Sequence, residues 1–300
     1  MPDAALLTTE RQFGSLFSQV AEPMPVGLTC YFLPGIPRSE WAREYLAQSY
    51  AAVGDLVSQT PDVVIITGTE PREQKLEDEP YWDALTGLID WAKSSPVPVM
   101  FSCLAAHAAV RHSDNIARHP VDYKCCGVFD EDIVSGHDLV ESVGSRMPLP
   151  HSRWNEVRER ALVTAGYTIL SRGDRSGVGF FAKQQTSLWL LCQGHPEYEG
   201  ASLLREYRRD VRRFLSRERA SYPQMPDGFF DEPDQRRLAA FRESALARPD
   251  HTMMDAFPAD IRIRPEAWRP QAVRLLRNWL KNALGTRSPS GERALVTASF

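Results

Sequence analysis

A cysteine, Cys103, sits between an apolar run (Pro98-Val99-Met100-Phe101-Ser102) and an alanine-rich one (Leu104-Ala105-Ala106). Much later, Gly194-His195-Pro196-Glu197-Tyr198 again follows an apolar run. A thiol is a useful nucleophile only as the thiolate, and a helix N-terminus lowers its pKa. A cysteine at a strand-to-helix turn meets that condition, and the Leu104 amide beside it could serve as one oxyanion donor. His195 could deprotonate the thiol and later an acceptor hydroxyl, with Glu197 holding the other imidazole nitrogen. Each residue alone also has a bland reading: a small buried cysteine, a strand-end histidine, a surface glutamate. A strained nucleophile elbow has small residues two before and two after the nucleophile. Ala105 fits that pattern and the bulky Phe101 does not.

Two further clusters carry polar chemistry. Pro150-His151-Ser152-Arg153-Trp154 gathers hydrogen-bonding groups after a proline-bounded loop, the kind of segment that binds substrate or simply turns at the surface. Arg205-Glu206-Tyr207-Arg208-Arg209-Asp210 reads as a charged helix face, from which one arginine turned inward could grip a carboxylate bidentately.

The elements that must position these groups follow from pattern and punctuation. Residues 26–33 read as a strand stopped by Pro34-Gly35, and Ser39 is a good N-cap for a helix bearing Trp41, Tyr45, Leu46 and Tyr50. Asp62 to Thr67 is a near-continuous apolar strand of the type buried on both faces of a parallel sheet. A polar loop from Gly68 to Pro80 leads to a helix with Trp82, Leu85, Leu88, Ile89 and Trp91, then a strand over 96–102 and a helix to about His112. This alternation predicts an α/β fold, a mostly parallel central sheet with helices on both faces. Further strands are expected at 161–164, 167–172, 178–183 and 187–193, and helices at about 201–217, 233–247 and 266–283. Residues 285–300 read as a loose tail, and 221–265 as proline-rich loops around one helix.

The totals exclude several classes. The chain has 300 residues, 43% of them apolar, and a formal charge of −4, which gives no electrostatic case for nucleic acid or an anionic membrane. No apolar run approaches the roughly 20 residues of a membrane span, and the N-terminus lacks the pattern of a signal peptide. Cys30, Cys103, Cys125, Cys126 and Cys192 read as free thiols of a reducing cytoplasm, and the adjacent Cys125-Cys126 pair is poor spacing for zinc, so no metal is expected.

The ordered set of motifs resembles the homoserine O-acyltransferases of the MetA type, a divergent branch of the class I glutamine-amidotransferase-like (flavodoxin-like) fold. The resemblance runs from about residue 26 to 284. It rests on Ile66-Thr67-Gly68 with Tyr81-Trp82, Lys124 with Gly127-Val128-Phe129, Pro150 to Arg153, Gly194 to Tyr198, Glu206-Tyr207 with Arg209-Asp210, and Trp268 with Asn278-Trp279-Leu280. It implies an acyltransferase domain over 26–284 with an N-terminal extension over 1–25. It also implies a Cys103–His195–Glu197 triad that carries an acyl group as a thioester, with substrate contacts at Lys124, Ser152 and Arg209. The reaction implied is ping-pong: acetyl-CoA or succinyl-CoA as co-substrate, no permanently bound cofactor, homoserine or a similar hydroxy-amino acid as acceptor, and a cytoplasmic homodimer. Arg72 falls where the family's donor preference varies, and its guanidinium could pair with a succinyl carboxylate or point to solvent.

Three departures touch the site. Leu104-Ala105-Ala106-His107-Ala108 stands where the family usually has Trp-Gly-Ala-Gln-Ala. Gly35-Ile36 replaces two family lysines near the oxyanion site, leaving the Gly35 amide as a candidate donor. Residues 221–265 exceed the family's usual connection and could form a lid or cover a helix. A Cys-His-Glu hydrolase of the glutamine-amidohydrolase kind is the alternative enzyme, and a silent binding protein the alternative outside catalysis.

Overall fold

The computed structural model describes residues 3–23, 26–58, 61–263, 265–285 and 293–299. The first part of the chain alternates as the apolar runs require: α1 (Leu6–Ala21), β1 (Val26–Phe32), α2 (Glu40–Ser49), β2 (Ala51–Ala52), α3 (Val53–Ser58), β3 (Val63–Ile66), α4 (Trp82–Ser94), β4 (Val99–Ser102) and α5 (Leu104–Asp114). Ser39 caps α2, its hydroxyl accepting the Ala42 amide at 3.3 Å. A long pair, β5 (His119–Ile133) and β6 (Arg146–Glu156), comes next. After it run α6 (Glu159–Thr164), β7 (Thr168–Ile169), β8 (Ser171–Gly173), β9 (Gly177–Val178), β10 (Phe180–Gln184) and β11 (Leu188–Cys192). The chain closes with α7 (Ser202–Leu215), α8 (Glu232–Ala247), α9 (Arg269–Leu284) and β12 (Arg293–Ser299).

The main sheet has the order β2-β1-β12-β3-β4-β11-β10-β7. Its strands run parallel from β2 to β11, and only β10 and β7 are antiparallel. Side chains alternate across a strand, so each apolar run feeds two cores. Val64 and Ile66 of β3 face Leu85, Ile89, Ala105 and Ala109 of α4 and α5. Val63 and Ile65 face Phe13, Leu16 and Phe17 of α1 and Leu275 and Trp279 of α9. Helices therefore cover both faces, as the continuous apolar strands predict.

The second sheet, β6-β5-β8-β9, is antiparallel. It replaces the loop expected at Pro150 to Trp154, which lies within β6. Pro148 and Pro150 are tolerated because β6 is an edge strand, where a missing N–H breaks no ladder. Two expected strands are each split between the sheets, β7 from β8 at Leu170 and β9 from β10 at Gly179. A Cβ at Gly179 would overlap the Glu131 carboxylate, so only glycine permits that crossing. The strand expected at 161–164 is helix α6 instead; a four-residue apolar run cannot distinguish the two by periodicity.

Both ends of the chain depart from expectation. Helix α1 is no appendage: Phe13, Leu16, Phe17 and Val20 are buried in the core that α9 shares. Within the stretch expected to be loose, 293–299 form β12, paired in parallel with β1 on one side and β3 on the other. The run Ala294-Leu295-Val296-Thr297-Ala298 is β-prone, a signal outweighed in the reading by its polar approach. Residues 286–292 lie outside the described residues. The 221–265 segment packs Phe229, Phe230, Leu238, Phe241 and Phe257 against Tyr207, Val211 and Phe214 of α7. It covers that helix, and none of its described residues lines the cavity described next.

Candidate active site

Cys103 occupies the turn between β4 and α5 with φ +55 and ψ −117. Such a backbone costs a non-glycine residue about 1–3 kcal/mol and persists only where the surroundings enforce it. Here the Cys103 amide donates to the Cys192 carbonyl at 2.7 Å, tying the turn to the end of β11. Parallel pairing of β4 with β11 sets Ser102 beside Cys192. Two strands thus end together, and Cys103 and the Gly194–Glu197 segment leave from the same edge, where ligands of parallel sheets bind. The Leu104 amide opens α5, where N–H groups have no intrahelical acceptor.

His195 bonds through Nδ1 to Glu197 Oε1 at 2.8 Å, and its ring lines the same cavity as Cys103. Burial pushes the imidazole pKa down, but the Cys103 and Glu197 charges and hydrogen bonds outweigh it and hold His195 well above its ordinary value. The second Glu197 oxygen is buried without a partner among the described residues. The structure brings the three sequence-predicted catalytic residues to the wall of one cavity. Burial pushes Cys30 to about 11, Cys126 to about 12 and Cys192 well up.

A cavity of about 540 Å3 opens on the triad and is lined also by Lys124, Ser152 and Arg209. One carboxylate organises them. Glu206 accepts from the Ser152 and Tyr198 hydroxyls and lies 3.5 Å from Lys124. Lys124 also pairs with Asp210 at 2.9 Å, and Arg209 with Asp210 at 3.1 Å. Burial pushes the Glu206 pKa up, yet Lys124 and Arg209 and the two hydroxyls hold it below the usual carboxylate range. Tyr198 stacks under the His195 ring at 4.2 Å, so the Glu206 cluster and the triad are mechanically one unit.

Two predicted residues lie elsewhere. Arg72 is exposed and lines a separate pocket of about 370 Å3, which meets the first only around Thr69, Glu70, Pro71 and Arg213. Gly35 lines neither pocket and packs on the Pro80–Tyr81 backbone. The missed residue is Gly68, the first glycine after β3. A Cβ there would sit 2.6 Å from Leu104 Cβ and 2.8 Å from the Leu104 nitrogen. Its lack of a side chain lets the β3 loop lie against the amide that opens α5. The sequence signal was available: a glycine directly after a buried strand marks a close backbone approach. Tyr198 and Glu206 were visible in motifs, but their link to His195 was not.

A model of the homoserine O-succinyltransferase family matches residues 1–289. The chain belongs to that family. Homoserine O-succinyltransferases of Methylorubrum extorquens and Rhodopseudomonas palustris are each 41% identical to it, over 93% of this chain and 84% and 85% of theirs. That of Bradyrhizobium japonicum is 40% identical over 93% of this chain and 86% of its own. Like the rest of the homoserine O-succinyltransferase family, this chain is an acyltransferase. Among solved structures, a glutamine amidotransferase from Methylobacillus flagellatus overlays 90% of the chain at TM-score 0.49 and 14% identity, too loose a likeness to support the hydrolase alternative. No helix among the described residues is long and apolar enough to cross a membrane.

Proposed function

We propose that this protein moves an acyl group from acyl-CoA through a thioester on Cys103 to the hydroxyl of homoserine. The observation that carries the reading is that the His195–Glu197 pair and Cys103 line one cavity, whose wall also holds the ion-paired Lys124, Glu206, Arg209 and Asp210. The Cys103 thiolate attacks the thioester carbon, and the oxyanion points at the Leu104 amide. Collapse expels CoA thiolate, which takes the proton from the His195 imidazolium. Neutral His195 then takes the acceptor's hydroxyl proton as that oxygen attacks the acyl-enzyme. Expulsion of the Cys103 thiolate restores the starting pair. Glu197 keeps the imidazole oriented and favours its charged form. Arg209 and Lys124 would hold the acceptor's carboxylate, with Ser152 positioned by Glu206 beside it.

The relatives' names favour succinyl-CoA as the donor over acetyl-CoA. Arg72 could bear on that choice only from the adjoining pocket. A cytoplasmic homodimer is the setting we propose, on the family resemblance alone.

Intact-protein mass spectrometry tests the reading. Brief incubation with succinyl-CoA and, separately, acetyl-CoA should add one acyl group, which disappears on addition of homoserine and never forms on Cys103→Ala. No adduct and no CoA release with either donor would refute it. Acid release without acceptor would favour the hydrolase.

A further inference from the structure

His107 is a second histidine of the cavity wall, and the triad chemistry leaves it unused. It lies one helical turn after Cys103 on α5, on the same face, because residues four apart in a helix are neighbours. It is only 4% exposed and lines the same cavity as the nucleophile. Burial pushes its pKa down to about 3, so the ring is neutral in any working range.

Its tautomer is set by Gln193. The Gln193 amide nitrogen donates to the Val178 carbonyl at 2.8 Å, which fixes which end of the amide is oxygen. That oxygen accepts the Val157 amide at 2.8 Å and lies 2.8 Å from His107 Nε2. An oxygen can only accept, so Nε2 carries the proton and Nδ1 is a bare lone pair. Nδ1 has no hydrogen-bond partner among the described residues, and the His107 side chain belongs to the cavity lining. The wall next to the nucleophile therefore offers one fixed, uncharged acceptor.

We propose that His107 Nδ1 accepts a hydrogen bond from the amide N–H nearest the sulfur in the acyl-CoA pantetheine arm, making His107 a donor-positioning residue. The inference rests on the acyl-CoA reading above. With the thioester carbon at Cys103, the first amide of the arm lies a few bonds beyond the sulfur. A residue one turn along α5, about 6 Å from Cys103 at 1.5 Å per residue, is at the matching distance. The acceptor's ammonium needs a negative partner, which the neutral His107 does not supply and the Glu206 cluster does. A glutamine side-chain oxygen could present the same acceptor, whereas an apolar residue cannot.

The test uses two small thioesters in single-turnover acylation of the full chain. One is S-succinyl-N-acetylcysteamine, which keeps the amide; the other is the same molecule with the N–H replaced by CH2. Wild type should acylate with the amide form about tenfold more efficiently, the size expected when a buried acceptor loses its donor. His107→Leu should lose about that factor on the amide form and show no preference between the two, while the KM for homoserine stays within about twofold. His107→Gln should keep the preference. A merely structural role would slow both thioesters alike. The proposal is overturned if wild type does not discriminate, if the preference survives in His107→Leu, or if the homoserine KM rises instead. His107→Met replaces the leucine variant should that one not fold. Failure of wild type to acylate with succinyl-CoA itself would instead refute the underlying donor assignment.

Discussion

At the scale of single residues, the site is a set of charges that hold each other's protonation states. Glu197 is the clearest lever. Its carboxylate favours the imidazolium, so Glu197→Gln lowers the His195 pKa. At pH 7 less Cys103 would then be paired with a cation, and its alkylation by iodoacetamide should slow and shift to higher pH. Turnover should fall about 10²-fold or more, as general-base catalysis is lost. In wild type, alkylation at pH 7 should label Cys103 first, since burial holds the thiols of Cys30, Cys126 and Cys192 protonated. Peptide mapping reads that order directly. Gly68→Ala tests the close approach to Leu104. Its Cβ must push the loop or the helix start aside, and kcat should drop by up to about 10²-fold with the fold intact. The proposed triad of Cys103, His195 and Glu197 could be picked out in the sequence because few residue types do this chemistry. Gly35 and Gly68 both follow a strand, and only the packing of the loops decides which one reaches the nucleophile.

At the scale of elements, α7 links the proposed substrate contacts to the core behind them. Its inner face carries Glu206, Arg209 and Asp210, and its outer face is packed by the 221–265 segment. That segment is also stitched to β5, with Asp227 bonding both the Val128 amide and the Cys126 carbonyl at 2.8 Å. Phe230→Ala should therefore cost about 3–5 kcal/mol of stability, and it should raise the homoserine KM more than it lowers kcat. Denaturant melts with steady-state kinetics check both. A KM unchanged at full folding would show that α7 needs no support from this side. The α/β alternation of the first part was readable because each strand is apolar throughout. The β5–β6 sheet was not, because its residues alternate polar and apolar and carry two prolines, which mimic a loop. Burial of His151 and Glu131 in that sheet, both 0% exposed, is a tertiary fact with no local signature.

At the scale of the whole molecule, the sheet is closed by segments far apart in sequence. β12 pairs with β1 over seven residues and with β3 over four. Removing residues 285–300 would leave β1 and β3 with facing, unpaired edges in the middle of the sheet. That truncation should abolish soluble expression or drop the Tm steeply, whereas a loose tail would be dispensable; expression and a thermal melt decide. The apolar runs predicted a mostly parallel α/β sheet with helices on both faces, and it is found. What they could not predict is that α1 and β12, from the two ends, are structural members of it.

The position of β12 also bears on how the chain reaches its native state. The strand completing the centre of the main sheet is the last of that sheet to be synthesised. Until it arrives, β1 and β3 have no common partner, and the early α/β units can condense only as separate pieces. Pairings of such long sequence separation pay loop-closure entropy before they are rewarded, which slows folding and prolongs exposure of open edges. Assembly of this enzyme is therefore expected to be late and slow, and its half-made sheet is the species most prone to pair with a neighbour.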